Sequence, residues 1–201
     1  MALTFPRDMT TAHTWARADF ELKFRQEHSQ QANGVTIGKD LGTPIWEVEF
    51  ETEPMEKADA EGVYADFLTL GGLARTFYAH VAGRPFPRYE EGTDPLAPII
   101  HNIGNDRDKL QISGLPNGYL FRPGDFIGIT TAAGRELHVV AGDSGSGVNG
   151  ITGDTYVSPS IRPGVAVNDV ATLNPAMIEL RLKKDGLERP KRKSGNLYTV
   201  A

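Results

Sequence analysis

The sequence predicts a mainly β protein of the α+β type, with a β-sandwich-like domain that carries one packed helix and a small β-barrel domain of the OB or SH3 kind. Three observations predict this fold class. Apolar and charged residues alternate in several short segments, one segment has helical periodicity, and turn residues recur at short intervals within residues 121–165. The 22 glycines and 13 prolines among 201 residues are consistent with many turns.

Two alternating segments predict the first strands. In residues 20–25 and 46–51, aromatic or aliphatic side chains occupy every second position and charged side chains occupy the others. A period of two places the apolar side chains on one face of a half-buried strand. Asn33 and Gly34, followed by an apolar and β-branched run, predict that a hairpin with a type I′ turn joins the two strands.

Residues 55–70 predict a single amphipathic helix. Thr52 or Glu53 would begin it, and Pro54 suits a first helical turn, where no backbone N–H is needed. The pair Gly71-Gly72 is typical of a helix end. Five apolar residues form the stripe expected to pack on a sheet: Ala60, Val63, Tyr64, Phe67 and Leu68.

The remaining segments predict the domain organisation. A strand at residues 75–81 completes a β-α-β unit, a segment rich in proline and glycine follows, and the turn-dense half then predicts the barrel. Further strands are predicted at residues 177–183 and 196–200. The predicted units are a ring-forming domain (1–82, completed by 176–201), a linker (83–98), a small β-barrel (99–175) and a basic C-terminal arm (184–201).

Two motifs in the turn-dense half resemble enzyme signatures. Gly142-Asp143-Ser144-Gly145 is similar to the nucleophile segment of chymotrypsin-like proteases, but no histidine and aspartate stand in the matching context. The glycines at 145, 147 and 150 have dinucleotide-binding spacing, yet the residues after them predict a turn and a strand rather than the required helix. We therefore expect a non-enzymatic protein without a catalytic residue or a bound cofactor.

Carboxylates are concentrated on one predicted strand. Glu47, Glu49 and Glu51 share a face, with successive side chains about 7 Å apart. Such carboxylates could bind a metal or act as acid and base, but no histidine or aspartate lies at a supporting spacing. A solvated strand face is the favoured interpretation, and we expect no metal.

Basic residues are concentrated near the C-terminus. Residues 181–193 contain seven basic and two acidic residues, a charge of +5, which leaves about −10 for the rest of a chain with net charge −5. Three interpretations are open: a solvated tail, a nucleic-acid contact, or an arm that docks on the acidic body of an identical neighbour. The candidate inter-subunit residues are Asn33 and Gly34 at the hairpin tip and, in the basic run, Arg189, Lys191, Arg192 and Lys193.

Several segments together resemble a family of tail proteins from long-tailed bacteriophages and prophages, and within it the distal tail protein. The first half contributes an opening segment, an aromatic-rich first strand, a tryptophan strand, and a helix that ends in a glycine pair and continues into an aromatic segment. The second half contributes two proline-containing motifs. These segments are residues 3–6, 20–22, 42–48, 61–68, 76–78, 122–126 and 157–163. The basic run at 189–193 is not part of the resemblance.

The resemblance implies a structural role in the virion. It implies a hexameric ring at the tail tip, made in the cytoplasm of the bacterial host, that links the tail tube protein to tail-tip or hub proteins. DNA would only pass through the lumen, towards which Glu47, Glu49 and Glu51 would face, and no membrane insertion is expected. The alternative is a monomeric, non-enzymatic β-sandwich or barrel module that binds a ligand such as a glycan through the glycine-rich loops.

Overall fold

A computed structural model describes residues 3–88, 97–147 and 149–201. It is mostly β structure with one α-helix and a closed barrel, which confirms the predicted fold class. Part of the predicted linker, residues 89–96, lies outside the described residues, as do residues 1–2 and Val148 of the glycine-rich loop. The boundaries of the predicted domains stay predictions.

The first half begins with a long antiparallel hairpin. Residues Phe20 and Val48 lie opposite each other, as do Leu22 and Trp46, so the apolar positions of both strands share one face. This register confirms the predicted hairpin. The elements of this half are β1 (Trp15–Gln30), β2 (Thr36–Thr52), β3 (Met55–Glu56), α1 (Lys57–Leu68), a short 3-10 helix (Gly72–Ala74) and β4 (Thr76–His80).

The helix begins later than predicted. Met55 and Glu56 pair with the last strand of the chain, so their backbone groups are used in a sheet and the helix starts at Lys57. Ala60, Val63 and Phe67 are buried as predicted. The prediction for Leu68 was wrong, because its side chain is 54% exposed. No helix within the described ranges combines the length and the apolar character needed to cross a bilayer.

The second half forms the barrel. Its strands are β5 (Ile99–Ile103), β6 (Lys109–Ser113), β7 (Leu120–Phe121), β8 (Phe126–Thr131), β9 (Gly134–Val140), β10 (Ser144–Gly145), β11 (Thr155–Ser158) and β12 (Val170–Thr172). Six of them close into an antiparallel barrel in the order β11-β6-β5-β12-β8-β9, while β7 pairs with β10. Buried aliphatic and aromatic side chains fill the interior, among them Ile127, Ile129 and Phe121.

The chain then returns to the elements of its first half. The last strands are β13 (Met177–Arg181), β14 (Lys191–Ser194) and β15 (Leu197–Thr199). β13 pairs with β4, and β15 pairs with β3. A second hydrophobic core lies between the base of the hairpin, α1, β4 and β13.

Trp46 connects the hairpin to the barrel. Its indole Nε1–H donates to the carbonyl oxygen of Leu137 on β9 at 2.7 Å, and its ring centroid lies 6.3 Å from that of Phe126. The base of the hairpin therefore has a fixed position against the barrel.

Gly62 and Gly128 differ in the space around them, so we expect replacement by alanine to change the stability of the fold in opposite directions. Gly62 lies in α1 with open space around it, so Gly62→Ala raises the free energy of unfolding by about 1 kcal/mol. An added Cβ at Gly128 would lie 3.0 Å from the Met177 backbone nitrogen, so Gly128→Ala lowers that energy by about 1–3 kcal/mol. Urea denaturation measures both effects. A Gly128→Ala variant as stable as the natural chain would contradict the close contact between β8 and the start of β13.

Candidate assembly surfaces

The distal part of the β1–β2 hairpin projects from the rest of the described structure. Every residue from 24 to 43, here termed the hairpin arm, is exposed. Its large apolar side chains are exposed as well: Phe24 (62%), Val35 (53%), Ile37 (50%) and Leu41 (54%). An isolated two-stranded hairpin is at best marginally stable in water, and grouped apolar side chains on a surface mark interaction sites. The hairpin arm thus has the properties of a segment that another molecule covers.

Both strands of the hairpin arm have open outer edges. In the described parts of the chain, β1 pairs with β2 and with no other strand, and the same holds for β2. The outer edge of β2 is hydrogen-bonded at the base of the hairpin, outside the arm. There the Thr52 backbone N–H donates to the Val200 carbonyl oxygen at 3.0 Å. Register shifts around Arg25 mark bulges at the start of the arm, and bulges bend and twist a ribbon. Open edges are able to pair with a strand of another molecule.

Asn33 and Gly34 lie at the tip of the hairpin arm, where an inter-subunit contact was predicted. The type I′ turn was wrong, because Gly34 has a positive φ of 83° whereas Asn33 has none. The Gly34 N–H donates to the Gln31 oxygen at 2.9 Å, and the Asn33 Oδ1 accepts from the Val35 N–H at 3.0 Å. The side chain of Asn33 therefore stabilises a longer turn, in which the glycine alone adopts the left-handed conformation.

The predicted carboxylates share one face at the base of the hairpin, here termed the carboxylate face. Glu49 lies opposite Asp19 and Glu47 lies opposite Glu21, so two pairs of like charges meet across the strands. Such pairs are unfavourable unless cations offset them. Four ion pairs supply the cations: Arg17–Asp19 at 2.5 Å, Lys23–Glu21 at 2.5 Å, Lys183–Glu47 at 2.6 Å and Lys193–Glu51 at 2.8 Å.

These cations change the acidity of two candidate residues. The hydrogen bond from Lys183 lowers the pKa of Glu47, and the hydrogen bond from Lys193 lowers the pKa of Glu51. A carboxyl group with a lowered pKa stabilises the folded chain above its unfolded pKa, about 4.3, and this stabilisation is lost as the pH falls through the folded value. Because both pairs are exposed, the contribution is small.

The basic run is folded against its own chain. Lys191 and Arg192 belong to β14, which pairs with β15, and Lys193 reaches Glu51 on β2. Arg189, Lys191, Arg192 and Lys193 are all exposed. Within the described ranges, Arg189 has no ion-pair partner. The segment is thus a short hairpin on the subunit surface, and its predicted contact with a neighbouring subunit stays a prediction.

Removing the lysines should restore the usual acidity of their partners. We expect Lys183→Ala to raise the pKa of Glu47 and Lys193→Ala to raise the pKa of Glu51, each because a charge-assisted hydrogen bond is lost. Carboxyl carbon NMR titration measures these values. Lys184→Ala is the matched control, because this neighbouring exposed lysine has no ion pair with a described residue. Unchanged glutamate titrations in both alanine variants would contradict the ion pairs.

A cavity of about 630 Å³ lies beside the carboxylate face. It is lined by seven consecutive residues of β2, from Ile45 to Glu51, and by residues 180–183 and 185–188 after and within β13. We term it the β2–β13 groove. Its volume is within the range of about 300–1,000 Å³ that is usual for ligand sites. Its lining includes apolar side chains, among them Trp46, Phe50, Leu180, Leu182 and Leu187.

The two enzyme-like motifs are structural elements. Ser144 is buried in β10, where its Oγ accepts a hydrogen bond from Thr155 Oγ1 at 2.6 Å. Gly145 also belongs to β10, and Gly147 and Gly150 lie between β10 and β11. The expected absence of enzymatic activity stays a prediction.

The histidines are separate from one another. His28 and His101 are exposed, whereas His80 and His138 are buried. Burial lowers the pKa of His80, and His138 Nδ1 lies 2.8 Å from the Pro159 oxygen. Within residues 3–88, 97–147 and 149–201, no group of three or more histidine, aspartate or glutamate side chains could hold a metal ion.

Two features of these surfaces were missed by sequence reasoning. The hairpin arm extends well beyond the alternating residues 20–25 and 46–51, and the groove forms between segments about 135 residues apart in the chain. A weak signal for the arm was present, since residues 29–38 contain no charged side chain. No known protein-family model matches this chain, and a comparison with curated proteins found no significant match.

Proposed function

We propose that this chain is a structural subunit of a long-tailed bacteriophage tail, a distal tail ring protein that links the tail tube to the tail tip around the DNA channel. The hairpin arm is the observation that carries the proposal. Twenty successive exposed residues form a regular two-stranded ribbon with open edges and four exposed large apolar side chains. A contact with a neighbouring subunit would bury these side chains and pair these edges.

A head-to-tail contact is the form of assembly that we propose. No ribbon comparable to the hairpin arm extends from another part of the described chain. An arm that binds a different surface of the next copy makes a head-to-tail contact, and such contacts close into rings when the rotation between copies allows it. We propose six copies, as the resemblance to distal tail proteins implies.

The charges at the base of the hairpin are compatible with a DNA channel. The carboxylate face has five acidic side chains and four cations paired with them. Phosphate contacts by unpaired lysine or arginine would hold DNA and slow its passage. A face whose lysines are already bound to glutamates offers few such contacts, so we place Glu47, Glu49 and Glu51 towards the lumen.

The native mass of the purified full chain tests the proposal. We expect native mass spectrometry to show one closed oligomer, and we expect antibodies against the chain to label the tip of tails in the phage that encodes it. A strict monomer at all concentrations, or a protein found outside the virion, would contradict the proposal.

The β2–β13 groove favours a second candidate function. An aromatic-lined cavity of about 630 Å³ suits a small ligand, as expected of a monomeric binding module. This candidate predicts a monomer whose melting temperature rises when a ligand is added. If the chain forms a ring, its melting temperature should instead depend on protein concentration.

A further inference from the structure

We infer that the β2–β13 groove is the acceptor site for the hairpin arm of a second copy of this chain. The inference rests on the proposed function, because it assumes that the subunits assemble through their arms. It adds the surface that receives the arm. Three properties of the described residues lead to it: an open strand edge in the groove, matched charge, and matched apolar side chains.

The groove has an open strand edge. Seven consecutive β2 residues line it, so side chains from both faces of that strand border the cavity, as happens where a cavity runs along the edge of a strand. Except at Thr52, this edge forms no backbone hydrogen bonds with described residues. An incoming strand would satisfy these backbone groups by β-augmentation and would place alternate side chains in the cavity.

The charges of the two surfaces match. The tip of the hairpin arm, residues 29–38, has no charged side chain, whereas charged residues flank it on both strands. The groove lining combines apolar side chains with charged ones, and its rim charges at Glu47 and Lys183 are paired with each other at 2.6 Å. Among the described residues, the lining residues Arg181 and Asp185 have no ion pair. An uncharged tip brings no charge of its own into the groove, where an unpaired charge would be costly to bury.

The apolar side chains match as well. Val35 directly precedes β2 and Ile37 lies within it, two residues further on, a spacing that places both side chains on one face of an extended backbone. Both are about half exposed in the single subunit, and a groove lined by Leu182 and Leu187 would bury them.

The arm cannot fill the groove of its own subunit. Ile37 lies ten residues from Glu47 along β2, and an extended strand of this length spans about 33 Å. Glu47 in turn contacts Lys183, the neighbour of Leu182 in sequence. The contact is therefore between copies, and because arm and groove are different surfaces it is a head-to-tail contact.

Cysteine cross-linking tests the inference, since the natural chain has no cysteine. A disulfide requires Cα atoms about 4.4–6.8 Å apart, so Ile37→Cys combined with Leu182→Cys cannot form one within a subunit. We expect oxidation of this double variant to convert monomer bands into a ladder of covalent multimers on a non-reducing gel. Equal mixing of the two single variants should give covalent dimers and no larger species.

The matched control pairs the same arm position with a distant exposed residue. Ile37→Cys combined with Tyr156→Cys places the second thiol on the barrel, where the Tyr156 side chain is 50% exposed. This variant should remain monomeric on the gel. Equal ladders from the two double variants, or no ladder from the groove variant, would overturn the assignment of the acceptor site.

The native mass distinguishes failure of this inference from failure of the proposed function. If the natural chain and both double variants are oligomeric under reducing conditions and the groove variant still gives no ladder, the ring remains and the arm binds elsewhere. If the natural chain is monomeric, both the proposed function and the acceptor site are wrong.

Discussion

Replacing Phe24, Ile37 and Leu41 with serine should convert the oligomer into a folded monomer. These side chains are at least half exposed in the single subunit, so they contribute little to its own core. Full burial of a large apolar side chain stabilises a contact by about 1.5–3 kcal/mol. Three such losses weaken each contact by about 5 kcal/mol, which raises its dissociation constant by roughly three to four orders of magnitude. Analytical ultracentrifugation measures this change.

The control for this variant changes exposed apolar residues elsewhere. Tyr156→Ser combined with Val167→Ser alters barrel residues of similar exposure, 50% and 49%, that the proposed contact does not use. This control should remain oligomeric. Circular dichroism should show unchanged β content in both variants. A triple arm variant that sediments like the natural chain would refute the role of the hairpin arm.

Trp46→Ala should lower the free energy of unfolding by about 3 kcal/mol. The ring of Trp46 packs against Phe20 and Phe126, and its Nε1–H satisfies the Leu137 carbonyl on the barrel. Trp46→Phe retains most of the packing and loses only the hydrogen bond, so we expect a loss of about 1 kcal/mol. Urea denaturation followed by circular dichroism gives both values.

The adjacent residue provides the control for Trp46. The Ile45 side chain is 48% exposed, and Ile45→Ala should change the free energy of unfolding by about 0.5 kcal/mol or less. Equal losses for Trp46→Ala and Ile45→Ala would show that Trp46 does not fix the hairpin against the barrel.

The strands at the base of the hairpin were predictable because their side chains alternate between core and solvent. Beyond Lys23 the alternation of apolar and charged side chains no longer indicates a strand. The strands of the arm are exposed on both faces there, and backbone pairing alone keeps them extended. The start of α1 was predicted too early for a related reason. Met55 pairs with Tyr198, a partner far along the chain that local propensity cannot indicate.

The candidate surfaces were predictable only in part. The positions of Asn33 and Gly34 at a hairpin tip followed from their turn propensity. The sequence also placed Glu47, Glu49 and Glu51 on one face. It gave no indication that Lys183 lies beside Glu47, because 136 residues separate them and a single sequence contains no information on such long-range pairs. The β2–β13 groove depends on the same long-range packing.

Electron cryomicroscopy of the purified native oligomer shows directly where each hairpin arm binds. We expect a closed ring of six copies with a central opening, each hairpin arm seated on the next subunit and the carboxylate face towards the opening. A monomer, an open filament, or a ring in which the hairpin arms contact no neighbouring subunit would contradict this expectation.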